Sequence, residues 1–212
     1  MIALPVRAMP PVGRLMSALA ARRPDLAALP TTTSVWCLDA AGGAPEPTSD
    51  GARVLVIGWI GTHRDARDAR LRAAWDLEER ARSSGLPTLV LRLAPVLGEG
   101  EPMWRRLGSR PRLGRRAHRP LQPVLEDDVL ATLERALEGR AAWDGWFEVC
   151  GDEVLTLGEL ACLASGWNPP EPGAWEPPLE IVDEQRLAES GPWREHFEIR
   201  PGRVSDWARR AA

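Results

Sequence analysis

One stretch of the chain, residues 52–98, carries the pattern of a strand, a long helix and a second strand. Residues 53–57 form a short β-branched run between two glycines, which is typical of a buried parallel strand. Residues 71–83 have apolar side chains at helical spacing, and the charged residues predicted to face outward are Glu78, Glu79, Arg80 and Arg82. Gly85 then ends the helix, and residues 88–93 form a second apolar run. These elements predict a right-handed βαβ unit, whose ligands would bind beyond the carboxyl ends of the strands.

The second half of this stretch, SSGLPTLVLRLAPVLG, resembles the atypical and extended short-chain dehydrogenase/reductase family, in its NAD-dependent epimerase and NmrA-like branch. In that family a strand ending in serines is followed by a helix that opens with Tyr-x-x-x-Lys, and these groups are catalytic. Aligning the motif SGL at residues 84–86 places Arg70 at the tyrosine and Ala74 at the lysine. The serines are replaced by Ile57, Gly58 and Trp59, and Trp59 is predicted to fill the former cavity. Since the chain contains neither tyrosine nor lysine, every Tyr/Lys dyad is excluded.

The opening segment, IALPVRAMPPVGRLMSALAARRPDLAAL, resembles the cofactor-binding turn of the same family. Glycines in such a turn let the backbone approach a pyrophosphate at the helix N-terminus. Here Arg7 and Pro10 stand at the first two glycine positions, and only Gly13 remains. The acidic residue that would bind the ribose has no clear counterpart. Arg7, Gly13, Arg14 and Pro95 are the remaining candidates for contacting a cofactor, and the resemblance predicts that none is bound.

Short patterns elsewhere predict further elements. Strands are predicted at residues 2–6, 25–29, 34–39 and 146–149, and helices at residues 12–21, within residues 121–139 and at residues 157–164. Asp127 or Asp128 is predicted to cap the helix within 121–139, and Thr156 the helix after it. The segment 98–120 predicts a loop.

The resemblance covers about three quarters of the chain and implies an α/β fold, with a Rossmann-like, mostly parallel sheet flanked by helices. Residues 1–165 are predicted to form this domain, in a truncated version. Residues 166–212 are predicted to be a Pro/Trp-rich connector followed by a small helical or irregular appendage that packs on it. The final residues also resemble SDR-like accessory subunits of respiratory complex I.

Other candidate chemistry is sparse. His63, His118 and His196 lie too far apart in sequence for zinc-ligand spacing, so no metal site is predicted. His63 follows the strand that ends at the family's active site, which makes it a candidate replacement acid or base; the alternative is a solvated loop histidine. Cys37, Cys150 and Cys162 form no CxxC motif, which favours buried reduced thiols in a cytoplasmic chain.

Arginines are concentrated in residues 104–119: Arg105, Arg106, Arg110, Arg112, Arg115, Arg116 and Arg119. This concentration predicts a surface for phosphate, an acidic partner protein or anionic lipid headgroups. The alternative is a solvated loop. The net charge of −3, and the absence of an RRM, KH or helix-turn-helix signature, argue against nucleic acid.

Loss of the glycine turn, the ribose site and the catalytic groups predicts a non-catalytic accessory or scaffold subunit of a larger complex. Such a complex would be respiratory, photosynthetic or biosynthetic, and the chain would be cytoplasmic, either free or peripheral to a membrane. Its partners would be other subunits, bound through Arg/Trp-rich surfaces. Two alternatives remain: an NAD(P)-dependent reductase or epimerase with a re-purposed active site, and a dinucleotide-sensing regulator.

Overall fold

The computed structural model describes residues 10–27, 33–37, 53–98, 102–109, 113–166 and 187–211. The strand predicted at residues 2–6, the candidate residue Arg7 and most of the predicted connector lie outside these ranges. None of the described helices is long and apolar enough to span a membrane.

Eight strands are found in the described residues. In chain order they are β1 (Thr33–Trp36), β2 (Arg53–Trp59), β3 (Thr88–Leu93), β4 (Val96–Leu97), β5 (Pro120–Leu121), β6 (Val124–Leu125), β7 (Asp144–Val149) and β8 (Leu155–Thr156). The α-helices are α1 (Pro10–Arg22), α2 (Pro24–Ala27), α3 (Ala69–Ser83), α4 (Pro102–Gly108), α5 (Glu126–Leu137), α6 (Leu157–Ala164), α7 (Gly191–Phe197) and α8 (Val204–Ala211). A 3-10 helix spans Gly114–His118.

The main sheet has four parallel strands in the order β1-β2-β3-β7. Val35 lies opposite Leu55 in the register of the first pair, and Leu55 lies opposite Leu89 in the second. Two short pairs flank this sheet: β4 is parallel to β6, and β5 is antiparallel to β8. The predicted Rossmann-like, mostly parallel sheet flanked by helices is therefore confirmed.

Helices cover both faces of the sheet, which explains why β2 and β3 are almost wholly apolar. Side chains of one parity, such as Leu55 and Leu89, pack with α1 and α5 in the largest core cluster. Side chains of the other parity, such as Val54 and Val90, pack with Leu71 on α3. The alternation of strand side chains thus separates two apolar layers.

The C-terminal residues are part of these cores. Trp193 on α7 is fully buried in the largest cluster, and its indole N–H donates to the Thr132 hydroxyl of α5 at 3.0 Å. Val204 on α8 packs in a third cluster with α4 and α6. The division of the chain at residue 165 stays a prediction.

Two predicted elements are wrong. The strand at residues 25–29 is contradicted because Pro24–Ala27 form the short helix α2; residues 28 and 29 lie outside the described part. The loop at 98–120 is contradicted by α4 and by the 3-10 helix. Both of these helices form because Met103, Leu107 and Leu113 bury their side chains in the cluster that contains α6.

The predicted N-cap of α5 is wrong, and the predicted N-cap of α6 is confirmed. Leu125 occupies the N-cap of α5 with no side-chain hydrogen bond, so neither Asp127 nor Asp128 caps it. Asp128 instead accepts a hydrogen bond from the Gly202 amide at 2.9 Å. Thr156 caps α6 as predicted, in a reciprocal capping box with Glu159.

Candidate functional site

The carboxyl ends of β1 and β2 lie against α3 in a closed apolar cluster. Trp59, at the end of β2, is only 3% exposed, as predicted. It belongs to the same cluster as Trp36, Leu71 and Ala74, where Ala74 stands at the family's lysine position. The described residues therefore place an indole and a methyl group where the resemblance expects hydroxyl and amine groups.

Arg70, which stands at the family's tyrosine position, binds the N-cap residue of α3. Asp68 is the N-cap residue, and its Oδ1 accepts a hydrogen bond from the Arg70 amide at 2.8 Å. The Arg70 guanidinium returns to the same carboxylate, with Nη2 to Oδ2 at 2.7 Å. This side-chain hydrogen bond lowers the pKa of Asp68 below its ordinary value. Both groups thus stabilise a helix terminus.

A buried ion pair joins α3 to β3. Arg92 donates to both carboxylate oxygens of Glu78, with Nε to Oε1 at 3.0 Å and Nη2 to Oε2 at 2.7 Å. Glu78 is fully buried, and the guanidinium of Arg92 lies 4.5 Å from the ring centroid of Trp146. The prediction that Glu78 faces outward is wrong. Its spacing of four residues from buried Ala74 is the signal that places both on one helix face.

His63 lies in the turn after β2, outside the packed cluster. Its side chain is 61% exposed. Its Nδ1 accepts a hydrogen bond from the Asp65 amide at 3.1 Å, and its ring lies 5.8 Å from that of Trp75. These contacts match a solvated loop histidine and bring it to no nucleophile among the described residues.

A cleft of about 740 Å³ lies between α1, α5 and α8. Its lining is partly apolar and partly charged: Arg14, Ser17, Ala18, Leu97, Gly98, Leu125, Glu126, Asp127, Leu130 and Trp207. Gly98 is required for this geometry, because a Cβ at that position would lie only 2.8 Å from the Cβ of Glu126.

Of the predicted cofactor candidates that the structure describes, only Arg14 lines this cleft. Its Nη1 lies 2.9 Å from Glu126 Oε2, so a carboxylate offsets its charge. The Gly13 carbonyl accepts a hydrogen bond from the Ser17 hydroxyl within α1. The Pro95 carbonyl accepts the Val124 amide at 3.0 Å, beside the pairing of β4 with β6. Both carbonyls therefore take part in backbone organisation.

Further ion pairs link α1 to α5. Arg22 lies 2.9 Å from Glu134 and 3.2 Å from Asp127, and Arg23 lies 2.5 Å from Glu138. Basic residues at the end of α1 and just after it thus meet acidic residues of α5 and the residue that follows it. The arginines near the cleft are engaged with protein carboxylates, which leaves the cleft without an excess of positive charge.

Helix α8 supplies the Trp207 wall of the cleft, and Glu153 holds its first turn. The Glu153 carboxylate accepts hydrogen bonds from the Ser205 amide at 2.9 Å and the Ser205 hydroxyl at 2.5 Å. Arg203 donates to the same carboxylate at 3.2 Å. Burial alone would raise the pKa of Glu153, but the bonds from Ser205 and Arg203 outweigh it, so the pKa lies below its ordinary value of 4.5.

The lowered pKa of Glu153 predicts acid sensitivity of α8. An acid with a lowered folded pKa stabilises the fold above its unfolded pKa, and this contribution is lost as pH falls through the folded value. We expect the stability difference between the wild type and Glu153→Gln to be largest near neutral pH and to shrink below about pH 4.5. Urea denaturation at a series of pH values measures it. A difference that stays constant with pH would contradict the role of this carboxylate.

The cysteines and possible metal ligands offer no further chemistry in the described residues. Cys37 and Cys150 are buried as predicted, whereas Cys162 is half-buried. Burial raises the pKa of Cys150 to about 12, so its thiol stays protonated. Within the described ranges, no three His, Cys, Asp or Glu side chains are grouped to hold a metal ion.

Comparison with known proteins yields structural neighbours only. No family model matches the sequence, and no significant relative was found among curated proteins. The neighbours include MoeE5 in complex with UDP-glucuronic acid and NAD (TM-score 0.64, 12% identity, covering 93% of this chain and 96% of that one). They also include TunA, an NAD-dependent NDP-hexosamine 5,6-dehydratase of tunicamycin biosynthesis (TM-score 0.60, 13% identity, covering 74% of this chain and 60% of that one).

A third neighbour is the UDP-glucose 4-epimerase of Thermotoga maritima (TM-score 0.56, 17% identity, covering 75% of this chain and 62% of that one). The match thus spans about three fifths of the dehydratase and of this epimerase. The chain has the Rossmann-like fold of NAD-dependent epimerases and dehydratases.

Proposed function

We propose that this chain is a non-catalytic protein, which uses an epimerase-type fold as an accessory or scaffold subunit of a larger protein assembly. The observation that carries the proposal is the closed cluster around Trp59. Trp59 and Ala74 occupy the positions where the resemblance expects a serine and the lysine, and both are buried among apolar side chains. The carboxylate nearest to this position, that of Glu78, would lie 3.5 Å from a Cβ on Gly58, but it is fully buried and paired with Arg92. It is therefore not available as an acid or base for a substrate carbonyl or hydroxyl.

The fold implies NAD, and the described residues do not fit it. At the first turns of α1 the charge of Arg14 is offset by Glu126, and Asp127 lines the same cleft. A pyrophosphate would be brought beside these carboxylates, where like charges repel.

Calorimetric titration of the purified full chain with NAD⁺ and with NADH tests this proposal. We expect no saturable binding up to about 1 mM nucleotide, because the binding free energy would fall short of about −4 kcal/mol. Stoichiometric binding with a micromolar dissociation constant would overturn the proposal. Binding without turnover would then support the dinucleotide-sensing regulator.

A re-purposed reductase or epimerase is the second candidate, because the solved neighbours with this fold include NAD-dependent enzymes. Among the described residues His63 is its candidate acid or base, being exposed at the end of β2. If NAD-linked turnover of a UDP-sugar is found, His63→Ala should abolish most of it while His118→Ala, another exposed histidine, should not. Equal activity of the two variants would remove His63 from this role.

Membership of an assembly is tested in the native source. Affinity purification under mild conditions, followed by mass spectrometry, should recover the chain in a fixed ratio with other subunits. Recovery of the chain alone with a bound dinucleotide would contradict the scaffold role.

A further inference from the structure

Helix α4, the 3-10 helix and the residue after it are strongly basic, and both helices pack against α6. Its arginines are Arg105, Arg106, Arg115, Arg116 and Arg119. Residues 102–109 and 113–125 contain no aspartate or glutamate. This concentration stands out because the chain as a whole has a net charge of −3. We call these two helices, with Arg119, the arginine surface.

Both elements of the arginine surface are held against α6. Leu107 of α4 and Leu113 before the 3-10 helix pack in one cluster with Leu160 of α6. The backbones approach closely, because a Cβ on Gly108 would lie 3.1 Å from the Ala164 carbonyl oxygen. At the other end of α6, a Cβ on Gly158 would lie 3.1 Å from the Ala117 carbonyl oxygen. The apolar sides thus face α6, while arginines of the same elements face solvent.

Three of these arginines carry charge that the described protein does not neutralise. Arg105, Arg106 and Arg115 are exposed, and within the described ranges their guanidinium groups form no ion pair or hydrogen bond. On α1, by contrast, Arg14 and Arg22 each meet carboxylates of α5. Arginine holds its charge at all physiological pH values and binds carboxylates through two parallel N–H groups. The exposed guanidinium groups of the arginine surface are therefore available to bind an anion from outside the chain.

The net charge of the chain and the positions of its exposed apolar residues favour a short acidic protein segment over a broad polyanion or a lipid surface. A chain of net negative charge is repelled by a broad polyanionic surface, and this repulsion reaches about 8 Å at physiological salt. Docking on a lipid surface also gains from apolar side chains beside the basic ones. In the part of the chain that the structure describes, the exposed large apolar residues are Trp146, Val154 and Leu187, which lie outside the arginine surface. An acidic protein segment touches only the arginine surface and avoids both costs.

We propose that the arginine surface docks an acidic segment of a partner protein, with Arg105, Arg106 and Arg115 binding its carboxylates. This inference deepens the proposed scaffold function and rests on it. The probe is a fluorescently labelled deca-glutamate peptide, titrated with the full chain by anisotropy. The test variant is Arg105→Glu/Arg106→Glu/Arg115→Glu. The matched control is Arg80→Glu/Arg200→Glu/Arg210→Glu, which reverses three exposed arginines scattered over other parts of the fold.

We expect saturable binding by the wild type, weakened by added salt, with a loss of about tenfold or more in the test variant and about twofold or less in the control. Equal losses in both variants would show that only net charge matters and would overturn the proposal. So would surface-dependent binding of phosphatidylserine vesicles or single-stranded RNA without peptide binding. If the test variant fails to fold, the corresponding triple Arg→Gln variant replaces it.

The outcome is independent of the cofactor question. The peptide titration contains no nucleotide, and the NAD titration of the same preparation is a separate result. Peptide docking together with tight NAD binding would overturn the proposed scaffold function but not the docking site. Absence of both peptide and NAD binding would overturn the docking site alone.

Discussion

Glu78→Leu is expected to lower the free energy of unfolding by about 3–5 kcal/mol, because it leaves the buried guanidinium of Arg92 without its carboxylate. Arg92 is only 7% exposed and directs two hydrogen bonds at Glu78. The stacked indole of Trp146 offsets only part of the lost interaction, since such contacts contribute about 0.5–2 kcal/mol. Urea denaturation with linear extrapolation measures the change.

Two further variants isolate the buried charge as the cause. Glu79→Leu alters the neighbouring carboxylate, which is 49% exposed and paired with Arg82, and should change stability by less than about 1 kcal/mol. Glu78→Leu/Arg92→Met removes both charges and should recover most of the loss. If Glu78→Leu is no worse than Glu79→Leu, the ion pair contributes little and this account is wrong.

Gly151→Ala is expected to cost about 3 kcal/mol, at the upper end of what overpacking causes. The new Cβ would lie 2.3 Å from the Pro123 carbonyl oxygen, which already accepts the Gly151 amide at 3.1 Å. Both clashing groups belong to the backbone, so no change of rotamer relieves the contact. The loss should also loosen the end of β7 from the segment that leads into α5. Thermal unfolding followed by circular dichroism measures the change.

Gly191→Ala is the matched control, because a Cβ there meets nothing within 4 Å. Its backbone has no positive φ, and it lies at the first position of α7. Alanine should therefore be neutral or slightly stabilising at this helical position. Similar losses for the two alanine variants would show that the close approach at Gly151 is not the cause.

The sequence predicted best where one local signal was unopposed. The β2–α3–β3 unit was predicted because glycines bound the β-branched run of β2 and because Gly85 ends α3. The strand predicted at residues 25–29 is wrong, because a short apolar run fits a strand or a helix equally well. Asp25, in the first turn of α2, favours the helix. The sequence predicts a loop in place of α4, because two arginines and the nearby prolines are typical of a loop. The buried side chains of Met103 and Leu107 are too few to give a clear helical pattern.

The candidate site depended on contacts that local sequence does not contain. The absence of tyrosine and lysine follows from the composition, and the alignment with the family predicts that Trp59 fills the former cavity. The pairing of Arg14 with Glu126 joins residues from distant parts of the chain, as does the bond from Gly202 to Asp128. Such pairings follow from how α1, α5 and the C-terminal residues pack, so no periodicity or motif predicted them.

Because β3 pairs with β7, the main sheet cannot be completed during translation until β7 has been synthesised. β1, β2, α3 and β3 are synthesised before β7, the strand that completes the described sheet, which follows only after α4 and α5. Until then β3 presents an open edge of unpaired backbone groups, which is a hazard for association between nascent chains. Trp193, which fills the core beside Thr132, is made later still. We therefore expect chains released before residue 193 to depend on chaperones, because the core beside Thr132 is still unfilled.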